Sequence, residues 1–411
     1  MIDLALLRKD TQKVLQALYK KDPKFDGQQL VDLDIEFRKI SLEVEDLRQQ
    51  KNQIAEQAKS SFTEELREKS KIIGATLKEK EEILGRIEVE FKALHLACPN
   101  IMFDDVPAGG KEANTVVTMI GQQPKFSFEP KNHLDLGNAL GWFDFAGAAR
   151  MTGSNFALYK GDGVKLLYSL TMLMLKNNIR HGFTPILPPY LVNTKSMQVA
   201  GQLPKFADGV YKVMDEDLYL TPTSEVNLTN LYRDMILERS ELPVRMTSWT
   251  SCFRREAGNY GNAERGLIRI HEFEKLELYS IVTPEESCDE LDRMIACAED
   301  ILKQLGLHYR VSLLAAQDSS FQSAKTYDIE VWMPGQKAYY EVSSASNCTD
   351  FQARRGGIRY KEFTGGKTAY AHTLNASSLA LPRLMVAIME TYQQADGSIA
   401  LPQVILDQGL F

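Results

Sequence analysis

Apolar side chains recur along this chain with two different periods. From residue 30 to residue 94 the intervals are three, four or seven. The first run is Leu30, Leu33, Phe37, Ile40, Val44, Leu47, Lys51, Ile54 and Ala58, and the second is Leu66, Ile73, Leu77, Lys80, Leu84, Ile87, Phe91 and Leu94. Such spacing lays one stripe along a helix, and its persistence over several heptads predicts a coiled coil. Residues 59–65 break the run, with Thr63 placed to cap the second helix and Glu64 and Glu65 suited to its first turn. Two helices of matched length, each about 40 Å long at 1.5 Å per residue, joined by so short a connection, are expected to lie antiparallel. Ahead of them residues 1–22 read as a short amphipathic helix, with Asp10 a candidate N-cap and Val14, Leu15 and Leu18 on one face; residues 23–27 end it.

Cys98, Pro99 and Asn100 close this region, and Pro107, Gly109 and Gly110 read as a linker. Beyond it the period shortens toward two, the mark of strands. An apolar helix over 163–178 (Val164, Leu166, Leu167, Leu170, Leu173, Met174) precedes a strand-like 183–187 that runs into Pro188 and Pro189, which suits an edge or an interface. Residues 218–224 lead a strand into a turn and helix at Thr223, Ser224 and Glu225. Residues 250–256 and 267–279 alternate like a hairpin, with Leu267 or Ile268, Ile270, Leu276 and Leu278 on one face of the return. A surface helix follows over 284–305. Strands 327–333 and 338–343 then pair around Pro334 and Gly335, and a strand or turn through Asn375, Ser377 and Ser378 opens into a last helix burying Leu384, Ile388 and Met389. The organisation read from these patterns is a helical hairpin over 1–97, a linker over 98–114, and a strand-rich domain over 115–411. In class it is α+β: an N-terminal antiparallel helical coiled-coil arm followed by a domain built on an antiparallel β-sheet flanked by helices.

Composition narrows the picture only a little. The chain has 411 residues, enough for two domains and a core able to support an enzyme. Apolar residues at 44% and charged residues at 25% are ordinary for a globular protein. A net charge of −7 excludes a generally basic nucleic-acid binder, so any nucleic acid must be met by a local patch. Lys51, Lys59, Arg67, Lys69 and Lys71 gather where the arm turns and are the candidates, although a solvated coiled-coil exterior explains each of them equally. Five scattered cysteines without a C-x-x-C suggest free thiols in a reducing compartment. No early apolar segment resembles a signal peptide and no run approaches the ~18–20 residues of a membrane span. The cytoplasm is expected.

Chemistry concentrates in the hairpin. Arg254, Arg255 and Glu256 end its first strand before the glycines Gly258 and Gly261. Arg269, His271, Glu272, Glu274, Lys275 and Glu277 ride the second, with Phe273 among them. A solvated strand face accounts for some of these charges. Arginines whose planar forks match phosphate, an aromatic face for a purine and carboxylates for an ammonium point instead to a nucleotide and an amine. Thr223 or Ser224 can cap a helix with Glu225 in its first turn, which is also an ordinary structural role. Asp328, Glu330 and Glu341 are carboxylates on strands that otherwise want to be apolar, so each needs an arginine or shares a metal held through phosphates. Arg354, Arg355, Arg359 and Lys361 form a basic segment. Arg383 sits beside Pro382 in the first turn of the last helix, where a cation is disfavoured unless an anion is present.

Four segments, TPTSEVNLTNLYRD, CFRREAGNYGNAERGLIRIHEFEKLEL, YDIEVWMPGQKAYYEVSSASNCTDFQARR and AHTLNASSLALPR, in that order behind a heptad arm, resemble the signature segments of the bacterial-type seryl-tRNA synthetases, within the class II aminoacyl-tRNA synthetases. The resemblance runs over essentially the whole chain. It implies a class II catalytic domain over 115–411 that activates L-serine with ATP and Mg²⁺ to seryl-adenylate. The seryl group then passes to the 3′ end of tRNA(Ser), with tRNA(Sec) a further acceptor the family admits. It implies catalytic roles for Arg254, Glu341 and Arg383, and ATP contacts from Arg254, Arg255, Glu256, Ile270, Phe273, Glu341, Ser343, Ser344 and Arg383. Serine would be held by Thr223, Ser224, Glu225, Arg254, Glu277 and Ser377, and Mg²⁺ by Glu341 and Ser344 through the phosphates. It also implies a homodimer built across the helix at 164–175. The chain departs from the family pattern at Glu272, at Ala376 and in the turn GNAERG. Two other readings stand beside this one: an amino acid:carrier-protein ligase, against which the long arm counts, and a non-catalytic relative acting through that arm.

Overall fold

A computed structural model describes residues 1–256, 266–363 and 365–411. The chain divides into two compact units, Met1–Pro99 and Asn100–Phe411.

In the first unit, two helices of 34 residues each, Gly27–Ser60 and Glu64–Ala97, run side by side. At 1.5 Å per residue each is about 50 Å long, longer than expected, because the helices continue through the polar ends of both heptad runs. Thr63 caps the second as expected, its Oγ1 accepting the Leu66 N–H at 3.3 Å. The seam buries Leu30, Leu33, Ile40 and Val44 of one helix and Leu77, Ile87 and Phe91 of the other, and Phe37 stacks on Phe91 with ring centroids 5.5 Å apart. Lys80, the polar heptad position, is explained by an ion pair to Glu43 at 2.7 Å across the seam. Residues 1–22 form two helices, Leu4–Lys9 and Thr11–Lys21, because Asp10 leaves the helical conformation and its carboxylate accepts the Lys13 N–H. Arg8 and Arg38 then hold the buried Asp34 at 2.6 and 3.1 Å.

The second unit is organised by an eight-stranded sheet. Across it the strands run Thr115–Ile120, Tyr309–Leu313, Lys325–Met333, Ala338–Asn347, His372–Ala380, Glu272–Val282, Val244–Phe253 and Thr184–Pro185. Every neighbouring pair is antiparallel except the last. The expected strand at 183–187 is thus real but two residues long, and lies at the sheet's edge, where proline costs no ladder hydrogen bond. One face of the sheet packs on three helices, Asp162–Arg180, Ser287–Gln304 and Leu381–Tyr392. Leu166, Leu170, Met174, Met294, Ile301, Leu384 and Ile388 join Leu276, Leu278, Ile329, Val331 and Leu374 in one core. The period of two sends the alternate side chains to the other face. On Glu272–Val282 these are Phe273, Lys275 and Glu277; on His372–Ala380, Asn375 and Ser377.

One expectation is corrected. The return of the hairpin begins at Glu272 and not at Leu267, because Gly266–Ile268 forms a 3-10 turn. Leu267 and Ile268 are consecutive and both buried, which one face of a strand does not permit. Within the stretch 98–114, the residues from Asn100 onward belong to the second unit and are hydrogen-bonded to it. The Asn100 side-chain amide donates to the carbonyls of Gln322 and Cys348, each at 2.9 Å, the Phe103 N–H to Ala324 O, and the carbonyls of Pro107 and Gly109 accept from Ala316 and Gln317. Proline and glycine here shape turns that lie against the domain. The five cysteines are free. Among the described residues no helix is long and apolar enough to cross a membrane.

Candidate active site

The polar face of the sheet opens into a cleft of about 580 Å³. At one end, Arg254 leaves the hairpin strand with its Nε donating to Pro222 O at 3.2 Å, and its guanidinium lies 5.2 Å from the centre of the Phe273 ring. Glu256 follows at a positive φ of 49° and pairs with Arg269 at 2.5 Å. Arg383 enters from the first turn of Leu381–Tyr392, a helix start with Pro at its head and no side-chain cap. Its Nε donates to Ile268 O at 3.2 Å and its Nη1 to Glu341 O at 2.8 Å, with the Glu341 carboxylate 3.4 Å away. Two arginines and an aromatic face thus converge where the strands Glu272–Val282 and Ala338–Asn347 present Phe273 and Glu341. Ile270 forms part of the wall.

At the other end the charges are buried. Thr223 caps the helix Ser224–Leu231 through the Glu225 N–H at 3.3 Å. The same hydroxyl donates to Glu277 Oε2 at 3.1 Å and accepts from Lys275 Nζ at 2.7 Å. Thr223 therefore caps the helix and also sets its hydroxyl between Glu277 and Lys275 on the cleft wall. Lys275 also forms an ion pair with Glu277. Burial pushes the Glu277 carboxyl up, against the opposing pull of Lys275, Thr223 and Arg254. Glu225 accepts from Gln352 at 2.6 Å, Asn375 at 3.1 Å and Gln322 at 3.3 Å, all at Oε1. Burial first, and then the charge of Glu277, raise it from 4.5 to about 7, although Lys275 and the amides pull the other way. Ser377 lines the cleft beside Asn375.

Glu341 and Ser344 stand beside Arg383, both on the cleft wall. Ser344 faces Asp328 on the next strand and hydrogen-bonds its carboxyl, whose Oδ1 is buried without a hydrogen-bond partner. Carboxylate and hydroxyl oxygens of this kind suit a hard divalent cation. Among the described residues no group of three or more His, Cys, Asp or Glu could hold a metal alone, so an ion here would draw its remaining oxygens from a substrate. These donors fit Mg²⁺ on those terms.

Three expected site residues lie elsewhere. Ser343 donates to Ser377 O, because a register shift between Glu341 and Ser343 turns it off the cleft. Ser224 is fully buried inside the helix start and does not line the cleft. Arg255, next to Arg254, lines a separate depression with Tyr211, Lys212 and Tyr219. Conversely Lys275, Asn375, Gln322 and Arg269 line the cleft without having been singled out as site residues. Lys275 was legible, since it alternates between Phe273 and Glu277; Gln322 comes from a loop and carries no periodic signal. Of the basic residues of the arm, Lys51 is exposed. Lys59, Arg67, Lys69 and Lys71 each pair with a glutamate three or four residues earlier in their own helix, at 2.5 to 3.1 Å. The turn through Gly258 and most of GNAERG lie outside the described residues.

Comparison with known proteins bears on this geometry. The profile of the "seryl-tRNA synthetase N-terminal domain" matches residues 1–102, and that of the "tRNA synthetase class II core domain (G, H, P, S and T)" matches residues 211–392. Serine--tRNA ligase of Syntrophobacter fumaroxidans is 44% identical over 98% of this chain and 97% of its own length. The chain belongs to the seryl-tRNA synthetase family. Serine--tRNA ligase of Solibacter usitatus is similar at 43% identity, again over 98% of this chain and 97% of its own. Among solved structures, seryl-tRNA synthetase from Pyrococcus horikoshii, complexed with ATP, superposes with a TM-score of 0.93 at 34% identity, covering 100% of this chain and 98% of that one. The cytoplasmic serine-tRNA ligase of Naegleria fowleri, complexed with AMP, gives 0.82 at 27% identity, covering 96% and 92%. As a class II synthetase, the chain presents the cleft between Arg254 and Glu277 as the place to look for the chemistry.

Proposed function

We propose that this cleft joins L-serine to ATP as seryl-adenylate and then passes the seryl group to the 3′ end of tRNA(Ser). The observation that carries the reading is the division of one cleft into two chemically different ends: Arg254, Phe273 and Arg383 at one, Thr223, Glu225, Lys275 and Glu277 at the other. The first end suits a nucleotide triphosphate. Phe273 offers a face to the purine, Glu256 a carboxylate to its edge, and the two arginines neutralise phosphate charge. The second suits the ammonium and hydroxyl of serine, with Arg254 between them reaching both the substrate carboxylate and the α-phosphate. Serine's carboxylate oxygen attacks the α-phosphorus, and the bond to the β-phosphate oxygen breaks to release pyrophosphate. No protein nucleophile enters; positioning and charge neutralisation lower the barrier.

Glu341 and Ser344 would hold Mg²⁺ together with the phosphates, where the ion supplies further neutralisation of the developing charge. An incoming ammonium favours the ionised form of Glu225, so serine binding draws that carboxyl downward from about 7. Alanine would leave the polar groups that serve the serine hydroxyl unpaired, the strongest form of rejection a pocket can apply. The arm is the surface through which tRNA would be met, at Lys51, Lys59, Arg67, Lys69 and Lys71. The exposed Tyr168, Met172 and Ile179 of Asp162–Arg180 suit the homodimer contact, and the cytoplasm is the compartment. Serine-dependent exchange of pyrophosphate into ATP, run beside alanine, glycine and threonine without tRNA, tests the activation step. Exchange with serine alone is expected; exchange with alanine or glycine in its place, or with no amino acid, would overturn the reading.

A further inference from the structure

His133 lies outside the cleft and outside every motif read from the sequence, yet it is almost completely buried, as is its partner Glu390. It stands at the start of the helix His133–Leu140, and its ring spans two elements. On one side Nδ1 is 3.3 Å from Glu390 Oε1; on the other, Nε2 is 3.3 Å from the backbone nitrogen of Leu267. A backbone N–H only donates, so Nε2 must be the acceptor. The Gln336 side-chain amide nitrogen also stands 3.4 Å from Nδ1, but it is a donor and is met by Glu390 Oε1 at 3.1 Å, so the ring is neutral with its proton on Nδ1, donated to Glu390. Glu390 is held in turn by the N–H groups of His133, Gly335 and Gln336 and by the Gln336 side-chain amide.

The segment that donates this bond is the wall of the cleft. Leu267, Ile268, Arg269 and Ile270 all line it. One residue beyond the His133 contact, Ile268 O accepts from Arg383 Nε. Arg383 and Glu390 belong to the same helix, Leu381–Tyr392. That helix therefore grips the wall twice: directly through Arg383, and through Glu390 and His133 two turns further on. The approach is close, since a Cβ on Gly266, at φ +67°, would come within 2.4 Å of His133 Nε2.

We infer that His133 is a positioning residue for the nucleotide end of the cleft, holding the wall at Leu267–Ile268 in register with Arg383 through a neutral, Nδ1-protonated ring. This rests on the proposed reading of the cleft as the serine- and ATP-activating site. Two conservative variants separate the ring's two bonds. His133→Asn places an amide donor where Nδ1 was and keeps the Glu390 bond; His133→Gln places an acceptor where Nε2 was and keeps the Leu267 bond. In pyrophosphate exchange by the full-length protein, H133N is expected to raise KM for ATP about tenfold while KM for serine moves less than about twofold, as losing one buried hydrogen bond at one end of the site would do. H133Q is expected to recover most of that loss. Equal losses in both variants, or a rise in KM for serine matching that for ATP, would overturn the inference.

Folding is controlled on the wild-type chain by nitrogen NMR of ¹⁵N-histidine-labelled protein. A pyridine-type Nε2 at His133 is expected, and a protonated Nε2 would overturn the assignment. Absence of exchange in the wild type would instead count against the reading of the cleft, leaving the tautomer result to stand or fall alone.

Discussion

The arm and the cleft use charge in opposite ways. In the arm Lys59, Arg67, Lys69 and Lys71 pair with glutamates one helical turn away, in open solvent, where such pairs are screened and contribute little. In the cleft Lys275 and Glu277 of one strand and Glu225 of a helix are buried together, and share hydrogen bonds with Thr223, Gln322, Gln352 and Asn375. Removing one member there strands the others without solvent. The arm keeps its cations exchangeable, as the proposed contact with a phosphate backbone would need. The cleft holds its charges in place, as chemistry that depends on positioning needs.

The sharpest break of this contrast is at Arg254, to which the proposed function gives a role at both ends of the cleft. Arg254→Ala is expected to lower serine-dependent pyrophosphate exchange by about 10²–10³-fold, the scale of losing one preorganised electrostatic contact to a transition state. A loss under tenfold would show that the cleft does not depend on a fixed cation.

A smaller effect is expected from Glu225→Gln. Glu225 is raised from 4.5 to about 7, so between those values the folded chain binds more protons than the unfolded one. Its contribution to stability is present at low pH and is lost as pH rises through about 7. Gln keeps an acceptor for the three amides that donate to Oε1 and never ionises. The stability of E225Q relative to wild type, read by urea unfolding, should therefore improve by about 3 kcal/mol between pH 4.5 and 8, while serine-dependent exchange falls. A difference that stays flat with pH would show that burial does not govern this carboxyl.

The smallest effect belongs to the arm. Lys59→Ala or Lys69→Ala should shift the melting temperature by no more than about 1 °C and leave exchange without tRNA unchanged. Each should reduce the salt dependence of tRNA binding by about one unit of slope. A clear loss of stability on either substitution would mean that the arm's cations are structural after all.

Much of this was legible because it is periodic. Both long helices, the Thr223 and Thr63 caps, the pairing of the strands 327–333 and 338–343, and the edge position of the strand that runs into Pro188 and Pro189 follow from spacing and from residues with one strong local preference. Local preference also set the limits. Two adjacent arginines look alike on paper, but Arg254 lines the cleft and Arg255 a separate depression, their N–H groups tied to different segments at His271 O and Gly209 O. Ser343 and Ser344 are separated once a register shift has decided which faces inward. Leu267 to Ile270 alternate well enough to suggest a strand, and lose it because Leu267 and Ile268 are both drawn into the core.

By itself, then, the sequence determined the two periods, the helical hairpin, the strand-rich domain and the residue types that phosphate and amine chemistry require, since each depends on neighbours no more than a turn or a strand away. Only the tertiary structure decided which of those residues meet. Gln322, Gln352 and Asn375 reach Glu225 from 97, 127 and 150 positions along the chain, and Glu390 reaches His133 from 257. A hydrogen bond depends on a separation in space of about 3 Å, and contacts so remote in sequence exist only once packing has brought the elements together.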